Sequence, residues 1–184
     1  MQNTLIFNSD LQTFDCKEIM PLESNFFWLL KEGIVKTSTW SEEGSIITLG
    51  YWGSNDVVGQ PLSLVDPYQI ECLTTVKASC IPVNQSYRLA DAIRRHIQQT
   101  EELLYIVRSE RMYHRLYKIL VWLAHKFGRE VATGKLIDLR LTHQDLAEII
   151  GTTRVTITKL INQLEKERII SRPERNTIVL CNRL

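Results

Sequence analysis

The sequence predicts an α+β protein with an antiparallel β-barrel or jelly roll first, a long helix second and a winged helix-turn-helix last. Three observations support this fold class. Short apolar runs between turn residues fill the first 83 positions, a heptad-spaced stripe follows, and two short amphipathic helices and a hairpin end the chain. We expect the sheet domain at residues 1–90, the dimerisation helix at 91–111 and the winged helix at 112–184, a division that suits a chain of 184 residues.

The N-terminal part is predicted to consist of β-strands separated by turns rich in Gly, Asp and Pro. Strand-like runs lie at 26–30, 34–40, 46–51, 57–59 and 73–83. Short strands with this punctuation favour a compact barrel or jelly roll. The chain contains no nucleophile elbow, phosphate-binding loop, HExxH motif or dinucleotide-binding turn. We therefore predict that the protein is not an enzyme and has no catalytic residues.

The middle part carries a stripe with alternating spacings of three and four residues, which indicates a heptad seam on one long helix. A stripe of this kind can be buried on the chain's own sheets or in a partner. We favour a symmetric coiled-coil dimer, because the flanks are heavily charged and Thr100 is a polar seam residue that can fix register. The predicted seam residues are Ala90, Ile93, Ile97, Thr100, Leu104, Val107 and Arg111.

The C-terminal part is organised around two short predicted helices within residues 142–164. Thr142, followed three residues later by Asp145, predicts an N-cap with a capping box. Gly151 supplies the positive φ that ends the first helix. Both helices have an apolar face, made of Leu146, Ile149 and Ile150 in the first and Ile157, Leu160, Ile161 and Leu164 in the second.

Flanking elements complete a winged helix. A helix at 112–127 is predicted to end at Gly128, and a linker at 129–134 then leads to a strand at 136–139. Strands at 169–171 and 177–181, with a Pro- and Asn-containing turn between them, predict the hairpin of the wing.

The polar face of the second helix predicts DNA binding. Arg154 and Lys159 are the residue types that bind guanine O6 and N7, and hydroxyls at a helix N-terminus suit phosphate. The alternative is an ordinary pair of core helices with a solvated basic face, and for Arg172 and Arg175 a solvated turn is an equally good interpretation. The predicted DNA-binding residues are Thr142, His143, Gln144, Thr153, Arg154, Val155, Thr156, Thr158, Lys159, Arg172 and Arg175.

Charge is distributed unevenly along the chain. Residues 1–90 have a net charge of −5 and residues 91–184 a net charge of +6, which together give the overall +1. A basic C-terminal end suits DNA as a partner. The four cysteines and four histidines are scattered, so we predict reduced thiols and no metal site. No apolar run approaches membrane-spanning length, and we expect a cytoplasmic protein without a membrane partner.

The order of these parts resembles the Crp/Fnr family of bacterial transcription regulators. The strongest motifs are LTHQDLAEIIGTTRVTITKLINQLEKERIIS at 141–171 and GSNDVVGQ at 53–60, which is similar to the family's G-D-x-x-G-E turn. The resemblance covers nearly the whole chain. It implies a cyclic-nucleotide-binding-like N-terminal domain, a homodimer on a palindromic DNA operator, and contact with RNA polymerase.

The resemblance also shows what the N-terminal part lacks. In cyclic-nucleotide-binding members, this segment supplies Gly-Glu for the ribose and Arg-Ser for the cyclic phosphate. Here the Glu position is Gln60, and the Arg-Ser pair is Ile70-Glu71. Loss of the guanidinium and gain of a carboxylate argue against cyclic AMP or cyclic GMP. The N-terminal cysteine cluster of the iron–sulfur branch is absent, and nothing suggests haem.

The effector is therefore unknown, and no cofactor is predicted. The N-terminal part is shorter than the family's usual barrel, so we expect an early strand to be missing and the pocket to be small or collapsed. Lys77 is the only cationic residue between Gly59 and Val83, which makes 2-oxoglutarate a weak candidate. The alternative cationic partners lie on the long helix, at Arg94, Arg95 and Arg108. Thr100 and Glu101 fit a seam and surface role better than a pocket. The pocket candidates are Gln60, Tyr68, Glu71, Thr100 and Glu101.

The recognition helix resembles that of the cyanobacterial nitrogen-control branch, which reads TRVTVTR. Arg154 is then expected to bind the outer guanine of each half-site, and Val155 to contact a thymine methyl. We predict a GTA…TAC-like palindrome instead of TGTGA half-sites. The competing hypothesis is a small-molecule sensor that acts through protein–protein contacts. Whether the protein activates or represses, and which genes it controls, is not encoded in these motifs.

Overall fold

The computed structural model describes residues 11–182 of the chain. These residues form two compact units that divide after Thr100. The division falls inside the long helix, close to the predicted end of the N-terminal part. Within the described residues, no helix is both long and apolar enough to cross a membrane.

The first unit is built from two antiparallel sheets. Strands β1 (Leu11–Phe14), β2 (Phe26–Glu32), β3 (Val35–Trp40), β4 (Ile46–Trp52), β5 (Val57–Val58), β6 (Gln69–Cys72) and β7 (Val76–Pro82) occur in chain order. They form sheets of order β1-β7-β2-β5 and β4-β3-β6. The described strands are thus jelly-roll-like and do not close into one barrel. The sequence analysis does not predict strands β1 and β6, because four residues are too few to show alternation clearly.

An aromatic and aliphatic core lies between the inner faces of the two sheets. Trp28 is fully buried and packs edge-on against Phe14 and Phe26, with ring centroids 5.2 and 5.0 Å away. Its indole nitrogen donates to the Pro21 carbonyl at 2.9 Å, so its one polar group is satisfied. Ile70 of β6 is also fully buried in this core. Buried aromatic and aliphatic side chains therefore form the core between the two sheets.

A continuous long helix, α1 (Ala90–Val107), follows a 3₁₀ segment at Val83–Leu89. Leu89 and Ala92 pack with Phe27, Val57 and Ile81 on the outer side of the β2-containing sheet. The helix therefore begins by covering one face of its own sheet.

The predicted end of the long helix at Arg111 is wrong. The helix ends at Val107, and Arg111 is the N-cap of the next helix, with extended φ and ψ of −92° and 128°. Arg111, the last residue of the predicted seam, thus lies outside the long helix, and its role in dimerisation stays a prediction. No Gly or Pro marks this break, and the Arg115 guanidinium stabilises it by donating to the Ser109 carbonyl at 2.6 Å. A contact between residues six positions apart, which periodicity does not encode, accompanies the helix end.

The remaining seam residues differ in exposure. Ile97 and Leu104, seven positions apart, are 61% and 58% exposed, whereas Ile93 is half-buried against the core. Ala90 and Thr100 are exposed and Val107 is half-buried. The helix thus presents two large apolar side chains at heptad spacing.

The second unit is a winged helix. Its elements are α2 (Met112–Phe127), β8 (Gly128–Val131), β9 (Gly134–Ile137), α3 (His143–Ile150), α4 (Arg154–Lys166), β10 (Ile170–Ser171) and β11 (Ile178–Cys181). The sheet order is β10-β11-β9-β8. The predicted linker at 129–134 is wrong, because β8 pairs with β9 as a hairpin, and the predicted strand at 136–139 begins and ends two residues earlier. The wing hairpin is confirmed.

Candidate DNA interface

The first helix of the predicted pair has the caps that its sequence requires. The Thr142 hydroxyl accepts from the Asp145 amide at 3.1 Å, and the Asp145 carboxylate accepts from the Thr142 amide at 2.7 Å. Gly151 ends α3 with φ 69° and ψ 55°. The Thr142 hydroxyl also donates to Asp145 at 2.6 Å, so its proton is used within the cap. The predicted capping box and turn are confirmed.

The second helix is fixed in the same local way and buries a narrow stripe. Thr153 caps α4 by accepting from the Thr156 amide at 3.2 Å. Ile157, Ile161 and Leu164 are fully buried. Their packing against α3 sets the rotation of α4 about its axis, which decides the residues that face outward.

The outward face of α4 carries the predicted reading residues. Arg154 and Lys159 are exposed, and Val155 is 65% exposed despite its apolar side chain. Thr156 and Thr158 are half-buried beside them. Arg154, the first residue of the helix, lies where backbone amides point outward and anions are favoured. The structure therefore brings these five residues onto one accessible surface.

His143 is held in one orientation by α4. Its Nδ1 lies 2.8 Å from the Thr158 hydroxyl, which donates its single proton to the Arg154 carbonyl at 2.9 Å. The Thr158 oxygen therefore accepts, and His143 Nδ1 carries the hydrogen. Burial lowers the pKa of His143, and the positive charges of Arg172 and Arg154 lower it further. The lowered pKa favours the neutral imidazole, in which Nε2 is an acceptor.

Arg172, at the start of the wing turn, is bound by the recognition helix. Its Nε donates to Glu165 at 3.1 Å, its Nη2 also donates to Glu165, and Nη2 donates to Asn162 at 2.9 Å. The hydrogen bond to Arg172 and the guanidinium charge lower the pKa of Glu165. Arg175 at the wing tip is exposed. DNA contact by these two arginines stays a prediction.

A groove of about 770 Å³ lies between the two helices and the wing. Its walls come from the start of α3, the start and outer face of α4, and the wing. His143, Gln144, Arg154, Arg172 and Arg175 line it, and Glu165 and Glu174 add negative charge. The amide of Gln144 donates to Glu148 at 3.1 Å. Sequence reasoning missed Glu165 and Asn162, because no motif links them to an arginine beyond the helix.

The predicted effector-pocket residues of the first unit have partners of their own or are buried. Tyr68 is nearly buried in the core, where burial raises the pKa of its hydroxyl. Glu71 alternates with buried Ile70 on β6, faces the opposite side of the sheet and pairs with Lys36 at 3.2 Å.

Of the other three candidates, two donate hydrogen bonds to backbone carbonyls and one is exposed. Gln60 donates to the Ser63 carbonyl at 3.2 Å, and the Thr100 hydroxyl donates to the His96 carbonyl of its own helix at 2.8 Å. Glu101 is exposed. The role of all five candidates in effector binding remains untested.

Comparison with known proteins assigns this architecture. The model of the Crp-like helix-turn-helix domain matches residues 114–184. The chain is 42% identical over 166 residues to the regulatory protein CysR of Synechococcus elongatus, in an alignment that spans 88% of this chain and 79% of that protein. The chain belongs to the Crp/Fnr family of DNA-binding transcription regulators.

A further relative supports the family, and a solved structure supports the fold. The global nitrogen regulator of a Synechocystis species is 32% identical over 183 residues, covering 88% of this chain and 80% of that protein. A CRP-family transcriptional regulator from Thermus thermophilus has the same fold, with a TM-score of 0.79, 19% identity, and coverage of 93% of this chain and 92% of that one. The predicted family and its cyanobacterial nitrogen-control branch are confirmed.

Proposed function

We propose that this Crp/Fnr regulator binds a palindromic operator as a homodimer and that cyclic nucleotide does not gate the binding. The observation that carries the proposal is the outward face of α4. It presents Arg154, Val155 and Lys159 on a helix whose ends and rotation are fixed by caps and a buried stripe. The family relation makes DNA the macromolecule that this face recognises.

The residue chemistry supports a particular half-site. Arg154 can donate two parallel hydrogen bonds to guanine O6 and N7, whereas Val155 can only make apolar contact, for which the thymine methyl is suited. The segment from Arg154 to Lys159 contains no carboxylate that could accept from cytosine N4. We therefore infer GTA…TAC half-sites, with Lys159 on guanine or phosphate.

Homodimerisation through α1 explains its exposed apolar residues. Ile97 and Leu104 are more than half exposed and lie two helical turns apart. A symmetric pair of α1 helices would cover both and would place two recognition helices on successive turns of one DNA face. The curated relatives are regulators of the same family, which supports this assembly.

The filled interior of the first unit supports regulation without cyclic nucleotide. Ile70, at the position aligned with the phosphate-binding arginine, is fully buried among apolar side chains. An anionic phosphate placed there would lose its hydration without gaining a cationic partner. The effector, if one acts, has different chemistry. Contact with RNA polymerase and location in the cytoplasm follow from this proposed role.

Selection of bound DNA from a random duplex library by the purified protein tests the proposal. Enrichment of GTA…TAC at a spacing of one helical turn, without added nucleotide, is the expected result. TGTGA half-sites would overturn the inferred base contacts. Failure of a folded dimer to enrich any sequence would favour the protein–protein alternative. The Arg154→Ala variant is the control, because it should lose preference at one base pair per half-site.

A further inference from the structure

The contacts of Arg172 differ from those expected of a phosphate-binding wing residue. The guanidinium donates hydrogen bonds from Nε and Nη2 to the Glu165 carboxylate and from Nη2 to the Asn162 side-chain oxygen. Asn162 and Glu165 lie three positions apart on α4, so one side chain spans one face of the recognition helix. Only about 30% of the Arg172 side chain is exposed.

The negative charge of Glu165 links its pairing with Arg172 to DNA binding. The carboxylate lines the same groove as His143 and Arg154. Because its pKa is held low by Arg172, it is ionised at neutral pH. An unpaired carboxylate at this place would repel DNA phosphates. Arg172 therefore neutralises a charge that would otherwise oppose the interface.

The neighbouring Arg175 provides an internal contrast. It also lines the groove, but it is exposed and makes no hydrogen bond or ion pair with the described residues. Arg175 is therefore available to an external anion. Arg172 is available only if it first leaves Glu165 and Asn162.

We propose that Arg172 is a positioning residue that fixes the wing against the recognition helix and neutralises Glu165, and that it does not bind phosphate itself. The role of Arg172 in neutralising Glu165 at the DNA interface rests on the proposed operator binding. The attachment of the wing to the recognition helix concerns the free protein and is testable without DNA.

The salt dependence of operator binding tests the role at the interface. Each phosphate contact adds about 0.9 to the slope of log affinity against log salt, so a dimer that loses one contact per subunit should lose about 1.8. Arg172→Gln should weaken binding roughly 10-fold, since it leaves Glu165 unpaired. The double variant Arg172→Gln/Glu165→Gln should recover most of the affinity and retain the wild-type slope.

A direct phosphate contact predicts the opposite pattern. In that case the double variant would remain weak, with a slope reduced by about 1.8. That result would overturn the proposal. Arg175→Gln is the matched control, because it removes one positive charge from the same turn without exposing a carboxylate. Unchanged circular dichroism would show that each variant is folded.

Amide hydrogen exchange in the free protein tests the attachment of the wing. The Thr177 amide donates to the Glu174 carbonyl inside the wing turn, at 3.3 Å. Arg172→Gln should speed its exchange roughly 10-fold by allowing the turn to open, whereas Arg175→Gln should leave it unchanged. Equal exchange in the two variants would refute the attachment. If the wild-type protein bound no DNA, the proposed operator binding would be wrong. The hydrogen-exchange measurement would still test whether Arg172 attaches the wing to the recognition helix.

Discussion

The two units of this regulator place polar residues in opposite ways. In the first unit, the positions aligned with the family's ligand-binding residues are buried in an apolar core or paired, as Ile70 and Glu71 show. In the second unit, Arg154, Val155 and Lys159 stand exposed on α4. The predicted DNA-reading side chains are thus accessible, whereas Ile70 and Glu71 stand where the Arg-Ser pair of cyclic-nucleotide-binding members is expected.

This difference has a physical basis in what each surface must hold. A DNA-reading helix needs exposed donors and a rigid backbone, and both come from local caps and a buried stripe. A ligand cavity needs an interior that stays unfilled, and here Trp28 and its aromatic neighbours occupy the space between the sheets. Burial of these side chains stabilises the unit and agrees with the proposal that cyclic nucleotide does not gate DNA binding.

The largest expected effect comes from attempting to restore the nucleotide site. Ile70→Arg should destabilise the protein by about 3–5 kcal/mol, because a guanidinium enters an apolar core without a partner. Urea unfolding followed by tryptophan fluorescence measures this loss. Thr75→Arg, in the exposed turn after β6, is the control and should cost little. Stable folding of Ile70→Arg/Glu71→Ser with cyclic AMP binding in calorimetry would contradict the filled-core interpretation.

A smaller effect is expected from the reading face. Arg154→Ala should cost about 1–3 kcal/mol of operator binding per half-site and should relax selectivity at one base pair. Fluorescence anisotropy with a consensus duplex and with duplexes altered at each position measures both. Lys166→Ala removes an exposed cation from the other end of α4 and should leave selectivity intact. Uniform weakening on all duplexes would assign Arg154 to phosphate instead of a base.

Dimerisation is expected to amplify the weak binding of each half-site. Leu104→Glu places charge in the proposed seam and should lower operator affinity about 100-fold by leaving each recognition helix to bind alone. Sedimentation velocity should show a monomer. Gln98→Glu adds the same charge beside the seam residue Ile97 and should preserve the dimer. A Leu104→Glu protein that stays dimeric would locate the subunit interface elsewhere.

The smallest effect concerns His143. Its pKa is below the ordinary value of 6.5, so the unfolded chain binds a proton more readily than the folded chain. Its contribution to stability is therefore present above pH 6.5 and is lost as pH falls toward the folded-state pKa. His143→Gln should flatten this fall in urea unfolding between about pH 7.5 and 5.5. His125→Gln, at an exposed position of α2, should keep the wild-type dependence.

Much of the winged helix was predictable because its signals are local. The Thr142–Asp145 capping box, the Gly151 turn and the stripe on α4 each depend on residues a few positions apart, and the structure contains all of them. The jelly-roll-like sheets were also predictable from short strands and turns. Such features follow from backbone geometry and side-chain spacing, which the sequence encodes directly.

The tertiary structure decided the features that depend on distant partners. The end of α1 at Val107 has no breaker residue and accompanies a contact from Arg115 to Ser109. Likewise, Arg172 looks like a free wing cation in the sequence, whereas Glu165 and Asn162 bind it in the structure. Neither outcome follows from periodicity or residue type, because each depends on which side chains packing brings within hydrogen-bonding distance.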